Sequence, residues 1–389
     1  VSIKIADVPE AGGGNGKVAA EVPPFADLHY FMRVEGVTKD WVELDSFSLG
    51  LQQTIGSIGG GGAGAGNLTA QDVAVSLGSS QSVAKLVEFA ASGKHITKVE
   101  ISAMGVGDEG RLLVDAYQFT DVLVSSLQDS SGGNQIAFDY AKFGHSHALY
   151  DDKGKKTGDV DTGYDFKLAK AGGDGGPGMP TNAVKQDEVA GELDYYVRFE
   201  GVGGSSEWLH LDSFSMGLTN SGSLGGAGAG KATASDVSLL LGSSKNLVEL
   251  TTKLSTGAHI KTAEIEAYRL GGGPGGEAQL VDEFRFEDVL ISSLTTSNAT
   301  ANFLTFDFAK YSHGHELYGP DGKASGFVAE GYDFKLAKAF DGPDPAADAD
   351  GAKIADSVDS GANLHYYMRV EGVTKDWVEL DSFSLGLQQ

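Results

Sequence analysis

From His29 onward polar and apolar positions alternate. Tyr30, Met32 and Val34 fall on one face and His29, Phe31, Arg33 and Glu35 on the other, and after a turn at Gly36 the apolar positions resume at Val42, Leu44, Phe47, Leu49 and Leu51. Successive strand side chains point to opposite faces, so this spacing predicts two antiparallel strands with one buried face. A glycine-rich loop at 59–66 follows, and then a strand at 72–77. The period then changes. Val83, Leu86, Val87 and Ala90 fall at i, i+3, i+4 and i+7, Ser79 or Ser80 stands where a cap is needed, and Gly93 supplies a left-handed stop, which together predict a helix. Alternation returns afterwards in short runs at 98–103, 112–127, 135–142 and 164–169, each a predicted strand.

The same order of elements recurs. Strands are predicted at 236–241, 261–268, 280–294, 303–310 and 332–337, with a helix marked by Ser243, Ser244, Leu247, Leu250, Thr251, Leu254 and Gly257. The stretch Leu28 to Gln53 reappears at Leu364 to Gln389 with one change, Phe31 to Tyr367, and a more divergent version opens at Leu193 with two residues inserted before Trp208. Repetition on this scale sets the architecture before any site is considered. The expected organisation is a linker at 1–26, a barrel at 27–171, a linker at 172–192, a second barrel at 193–339, a linker at 340–363 and the opening strands of a third copy at 364–389. Regularly spaced short strands with a single helix per unit describe a mainly β chain of tandem antiparallel barrels, each flanked by one α-helix. The linkers carry glycine, proline and acids, and about twenty extended residues reach roughly 60 Å. A start at Val1 and an end inside a repeat lead us to expect a window on a longer polypeptide.

Composition narrows the function. The 389 residues are 41% hydrophobic, enough for packed cores, and the 56 glycines point to many turns. With 54 acidic against 29 basic residues the net charge is −25, a field that repels phosphate backbones and anionic lipid, so no nucleic-acid partner is expected. No run of about 18 apolar residues is present, so no membrane insertion is expected either. The absence of cysteine excludes disulfides and thiolate metal sites and agrees with a secreted or extracellular bacterial protein.

Candidate chemistry is sparse. The run GGGGAGAG at 59–66 lacks the Lys-Ser/Thr of a phosphate loop and precedes a strand where a helix is required; a loop reaching a neighbouring subunit is the better reading. His145 and His147, like His313 and His315, stand two apart, so each pair could share a divalent ion if Asp151, Asp152 or Glu316 supplied a third ligand. The opposing reading makes them strand or turn residues inherited by both copies. The segment 150–161 fails the spacing of a calcium loop, and its counterpart at 318–323 reads as a Pro-Asp-Gly hairpin tip. His95 and His259 follow the helix stops, where an imidazole can bond the last helical carbonyls. Trp41, Trp208 and Trp377 read as packing anchors. No nucleophile or zinc-protease motif occurs, so no catalytic residue, cofactor or resident metal is expected.

The ordered motifs resemble the Hcp family, the haemolysin-coregulated tube proteins of type VI secretion. The similar features are Glu-Gly-Val at 35–37 and 200–202, Asp-Ser-Phe-Ser-(Leu/Met)-Gly at 45–50 and 212–217, Ala-Gly-Ala-Gly at 63–66, the helix ending in Ser-Gly-Lys-His-Ile at 92–96, and Phe-Thr-Asp-Val-Leu-Val-Ser-Ser at 119–126 leading to Phe-Asp-Tyr-Ala-Lys at 138–142. The resemblance implies a small barrel that assembles as six-membered rings stacked into a hollow tube. Surfaces repeated along one chain can meet head to tail, and tethering raises their effective concentration; two whole units per chain fit a pseudo-sixfold ring of alternating copies. The expected function is therefore a non-enzymatic structural protein that self-associates into rings, a tube or an extracellular filament. A secreted adhesin of separate barrels, with or without a cation, and an exported effector or carrier are the alternatives.

Overall fold

A computed structural model describes residues 28–53, 56–58, 62–64, 68–107, 110–151, 155–171, 193–203, 208–222, 230–242, 244–270, 278–297, 302–342, 366–369, 378–380 and 384–388. The expected linkers at 1–26 and 172–192, the third from 343 onward, Trp377 and Asp152 lie outside these residues, while Phe340 and Asp341, expected to open the third linker, belong to strand Lys338–Asp341.

The first unit closes on itself through antiparallel pairs alone. Strand Leu28–Val34 pairs with Val42–Leu44 on one side and Ile96–Gly107 on the other, Met32 standing opposite both Val42 and Ile101. The circuit continues through Gly110–Ser130, Asn134–Tyr150 and Val73–Leu77 to Ser46–Ser48, which prolongs Val42–Leu44. The second unit repeats it: Asp194–Phe199 joins Leu209–Asn220 and Ile260–Arg269, and the ring runs on through Gln279–Ser297, Asn302–Asp307 and Val237–Leu241 back to Leu209–Asn220. Met32, Val34, Leu77, Phe119 and Phe138 fill the first interior; Val197, Phe199, Leu241, Phe286 and Phe306 fill the second. Both sets belong to one continuous buried cluster.

Helix α1, Gln81–Ser92, begins where the Ser80 hydroxyl accepts from the Ser82 amide, so Ser80 is the cap, and ends at Gly93 with φ 66°. Helix α2, Asn246–Thr256, ends the same way at Gly257 with φ 64°, a left-handed conformation that costs a residue with a Cβ about 1–2 kcal/mol. Ser244 accepts from the Asn246 amide at 3.1 Å.

Several expectations are corrected. The strands run past their predicted ends, to 21 residues in Gly110–Ser130 and 17 in Asn134–Tyr150, because Asn134–Tyr150 goes on to pair with Lys156–Asp165 and the end of Gly110–Ser130 with residues 215–219. Gln279–Ser297, Lys310–Tyr318, Ala324–Asp333 and Lys338–Asp341 do the same in the second unit. The runs at 164–169 and 332–337 are strand ends followed by turns: the Asp165 and Asp333 carboxylates accept from the amides of Leu168 and Leu336 at 2.9 and 2.8 Å, and Ala169 and Ala337 both adopt φ 51°. Of the glycine-rich loop, the described residues Gly62–Gly64 pair with Gly56–Ile58, and Leu51–Gln53 pairs with Leu68–Ala70. Phe31, on the face expected to meet solvent, is fully buried with Trp41, Met104, Leu113 and Ala116. Trp41 and Trp208 do anchor packing, both buried. The Arg33 guanidinium lies 5.1 Å from the Trp41 ring while its Nε donates to Glu100, and Arg198 repeats this at 4.7 Å over Trp208 with Glu264.

Candidate assembly interface

The two closed units are joined by backbone. Residues 126–130 at the far end of Gly110–Ser130 pair antiparallel with 215–219 of the second unit, Ser126 opposite Thr219 and Ser130 opposite Ser215. Ser384–Gln388 of the third copy pairs with 293–297 of the second unit, Ser293 opposite Gln388 and Ser297 opposite Ser384. Aligned by their shared Ser-Phe-Ser-(Leu/Met)-Gly run, Thr219 and Gln388 are equivalent, so the two junctions have one register. We call the donor end of each unit its tail and the accepting edge its head.

Side chains make the first junction deep. On α1, Ser82, Val83, Ala84, Leu86, Val87, Phe89, Ala90 and Ala91 are all buried, whereas on α2 only Asn246, Leu250 and Leu254 are. The difference is the neighbour: α1 packs against Lys310–Tyr318 and Ala324–Asp333 of the second unit. Ala84 is fully buried, and its α2 counterpart Val248 is 71% exposed. Strand Leu209–Asn220 of the second unit also reaches α1, where the Asn220 side-chain amide donates to the Ala90 carbonyl at 3.1 Å. Of the glycine-rich segments, residues 59–61, 65–66 and 225–229 lie outside the described residues, and with them the expected reach to a neighbouring subunit.

A buried polar cluster sits inside the junction. The Asp282 Oδ1 atom takes His313 Nε2 at 3.2 Å and His315 Nδ1 at 2.8 Å, and its Oδ2 accepts from the Ser79 hydroxyl of the first unit at 2.5 Å. Ser79 Oγ also lies 3.2 Å from His315 Nδ1. Across from it, the Tyr311 hydroxyl donates to Asp129 of the first unit, whose Oδ2 lies 3.8 Å from His313 Nδ1. Burial pushes the Asp129 carboxyl up, only partly offset by His313 and Tyr311. Burial acts on Asp282 in the same sense, but His313 and His315 outweigh it and hold that carboxyl far below its usual range. For His313, the Asp129 and Asp282 carboxylates overcome burial and raise its pKa.

The paired histidines therefore converge on a carboxylate. His145 Nε2 and His147 Nδ1 share Asp115 Oδ1 at 2.9 and 2.8 Å, the counterpart of the Asp282 arrangement. Among the described residues no group of three or more histidine and acidic side chains is arranged to hold a metal ion. Asp151 Oδ1 accepts from the Lys155 amide at 2.8 Å as a hairpin turn, and Asp321 does so from Lys323 at 3.3 Å. His95 and His259 do not reach helical carbonyls. They bond Asp121 and Asp288 at 2.7 and 2.6 Å, carboxylates also held by Lys167 and Lys335 and presented from left-handed positions, φ 53° and 56°. Asp115, Asp282, Asp129 and Ser79 carry no local motif. Strand register brings Asp115 and Asp282 to the histidines, and the junction between the units brings Asp129 and Ser79.

The family model described as "Type VI secretion system effector, Hcp" matches residues 34–147 and again 196–315, more than half of the chain. The chain belongs to the Hcp family. Its two Hcp matches coincide with the two closed units, and the junction is a contact between one Hcp unit and the next. Solved structures similar to it include one described as a type six secretion system protein (22% identity over 38% of this chain and 100% of that one, TM-score 0.35) and Hcp1 from Salmonella typhimurium (19%, 37% and 98%, TM-score 0.30). A type VI secretion system effector from Yersinia pestis is also similar (17%, 36% and 99%, TM-score 0.28). No curated protein matches. Among the described residues no helix is long and apolar enough to cross a membrane.

Proposed function

We propose that this chain is a non-enzymatic structural protein, secreted to the cell exterior, whose Hcp units add head to tail into rings, a tube or a filament. The observation that carries the reading is the register: the second unit meets the first, and the third copy's strand meets the second, through the same five pairs. A contact repeated in one direction is heterologous and either closes into a ring or propagates. Among the described residues the first unit's head carries no neighbouring unit, and the second unit's tail carries Ser384–Gln388 along its strand edge. The first unit's head presents Val160 at 59% exposure with His145 and His147 half-buried, and the second unit's tail presents Val248. The buried junction favours this reading over barrels held apart as beads.

Sedimentation velocity of the full chain over a hundredfold concentration range tests the proposal. Growing species that Val248→Asp reduces to a single slow boundary support it. A single boundary independent of concentration, identical in the variant, overturns it.

A further inference from the structure

One imidazole stands between carboxylates that the two units bring to the junction from opposite sides. His313 Nε2 lies 3.2 Å from Asp282 Oδ1 of its own unit, and its Nδ1 faces Asp129 Oδ2 of the first unit at 3.8 Å. The Tyr311 hydroxyl donates to Asp129 Oδ2, while Asp129 Oδ1 and His313 Nδ1 find no hydrogen-bond partner among the described residues. Asp129, Tyr311 and His313 are all fully buried. Two carboxylates on either side of one ring in a dry site repel each other unless that ring carries charge, and a doubly protonated His313 is placed to supply it. A neutral ring that donates from Nε2 to Asp282 turns a bare lone pair towards Asp129.

The first unit holds the same trio with no other unit packed upon it among the described residues. Asp115 takes His145 Nε2 and His147 Nδ1 at 2.9 and 2.8 Å, and all three side chains are partly exposed. The trio therefore forms without a neighbour, and the chain displays it both covered and uncovered. Covering adds Asp129 and Ser79 of the first unit and removes the water.

We propose that His313 is a proton-operated clasp inside the chain: doubly protonated, it holds the carboxylates of both units and keeps the junction shut, and on losing a proton it lets the second unit part from the first with both barrels intact. What parts is confined to the seam. Residues 126–130 leave 215–219, and α1 leaves Lys310–Tyr318 and Ala324–Asp333, whereas each barrel closes through pairs of its own strands. The direction of the response follows from the surroundings. Burial acts to lower the His313 pKa, but Asp129 and Asp282 outweigh it and raise it, and burial raises that of Asp129. Groups raised in the closed form hold it at low pH and release it as pH climbs through the raised values, so the clasp opens in alkali. Asp282, held low by His313 and His315 against its burial, stays charged over that range. The other titratable groups facing the ring are Tyr195, Tyr311 and His315, with Glu316 beside His315; Glu330 stands opposite His313 in register, next to Glu88, Lys85 and Lys94 of the first unit.

Hydrogen exchange of the dilute full chain separates a parted junction from an unfolded barrel, and both strands of the seam belong to one molecule. After correction for intrinsic exchange rates, protection at 126–130 and 215–219 falls roughly tenfold or more between about pH 6 and about pH 9, tenfold being the factor for one pKa unit. Strands Leu28–Val34 and Ile96–Gly107 of the first barrel keep theirs. Two substitutions act in opposite directions. His313→Gln keeps a donor for Asp282 but carries no charge, so the seam is already open at about pH 6 and does not respond to pH. Asp129→Asn removes the second carboxylate and still accepts from Tyr311, so the seam stays shut at about pH 9. Should His313→Gln fail to fold, the parent chain and Asp129→Asn decide between them. Equal protection at both pH values in the parent, barrel strands that lose protection together with the seam, or an Asp129→Asn chain that opens at about pH 9 as the parent does would each overturn the clasp.

Discussion

Replacing one carboxylate in each copy separates a formed junction from an open one. Asp282 and Asp115 occupy equivalent positions, and each takes two histidines. Their surroundings differ: the side chain of Asp282 is 4% exposed and those of His313 and His315 are 0% and 3%, against 20% for Asp115, 31% for His145 and 38% for His147. Removing one partner of a buried ionic cluster strands the others and costs about 3–5 kcal/mol, whereas a solvent-screened pair is worth about 0–1 kcal/mol. Asp282→Ala also strips the Ser79 hydroxyl of its acceptor across the junction, adding about 1–3 kcal/mol if that hydroxyl stays buried. Asp282→Ala should therefore cost at least about 2 kcal/mol more than Asp115→Ala, since among the described residues no other unit packs upon the first unit's head. Urea unfolding followed by tryptophan fluorescence, at one pH and salt concentration, reads the difference. Equal losses, within about 1 kcal/mol, would refute the reasoning, because they would mean that the second unit's head is as wet as the first's.

Three further outcomes follow from the same geometry. Raising the pH from about 6 to 9 should destabilise the junction: Asp129 and His313 both have raised folded pKa values, so their contributions hold below the unfolded values near 3.9 and 6.5 and are lost as pH climbs through the folded ones. Asp282, held low, contributes in the opposite sense, above about 3.9, and is lost only in acid; His315, Glu316, Tyr195 and Tyr311 complete the groups facing the cluster. A midpoint that is flat or rises over that range, or one that falls equally in His313→Gln, counts against this assignment. Leu86→Ala, at a fully buried α1 position, should cost about 2–5 kcal/mol, while Val248→Ala on the open helix face should change unfolding by less than about 0.5 kcal/mol, both measured by calorimetry. Gly93→Ala and Gly257→Ala should each cost about 1 kcal/mol from their left-handed φ, and a gain in either would deny that these glycines end the helices.

Much of this was legible in the chain. Period-two spacing announces the interior faces of Leu28–Val34 and Val73–Leu77, and Ser80 and Gly93 announce the bounds of α1, because these signals are local. The outer halves of the long strands were not legible. Around Lys142 to Tyr150 the sequence offers GHSH rather than clean alternation, and what keeps it extended is pairing with Lys156–Asp165, a tertiary cause. The burial of Phe31 was missed for a similar reason, since Trp41 and Met104 cover it from other strands. The histidine pairs stood out, but their partner did not: Asp115 and Asp282 sit about thirty residues away along the chain, and only strand register brings them within hydrogen-bond reach. Asp129 looked like one acid among many on a strongly acidic chain until its burial against the second unit gave it a role.

The most direct test is cryo-electron microscopy of the concentrated full chain. Head-to-tail addition predicts continuous rings or filaments in which the backbone at 126–130 is bonded to 215–219 and the same five-pair register recurs from unit to unit. Particles in which the two barrels adopt varied separations, with no sheet running from one to the next, would contradict it.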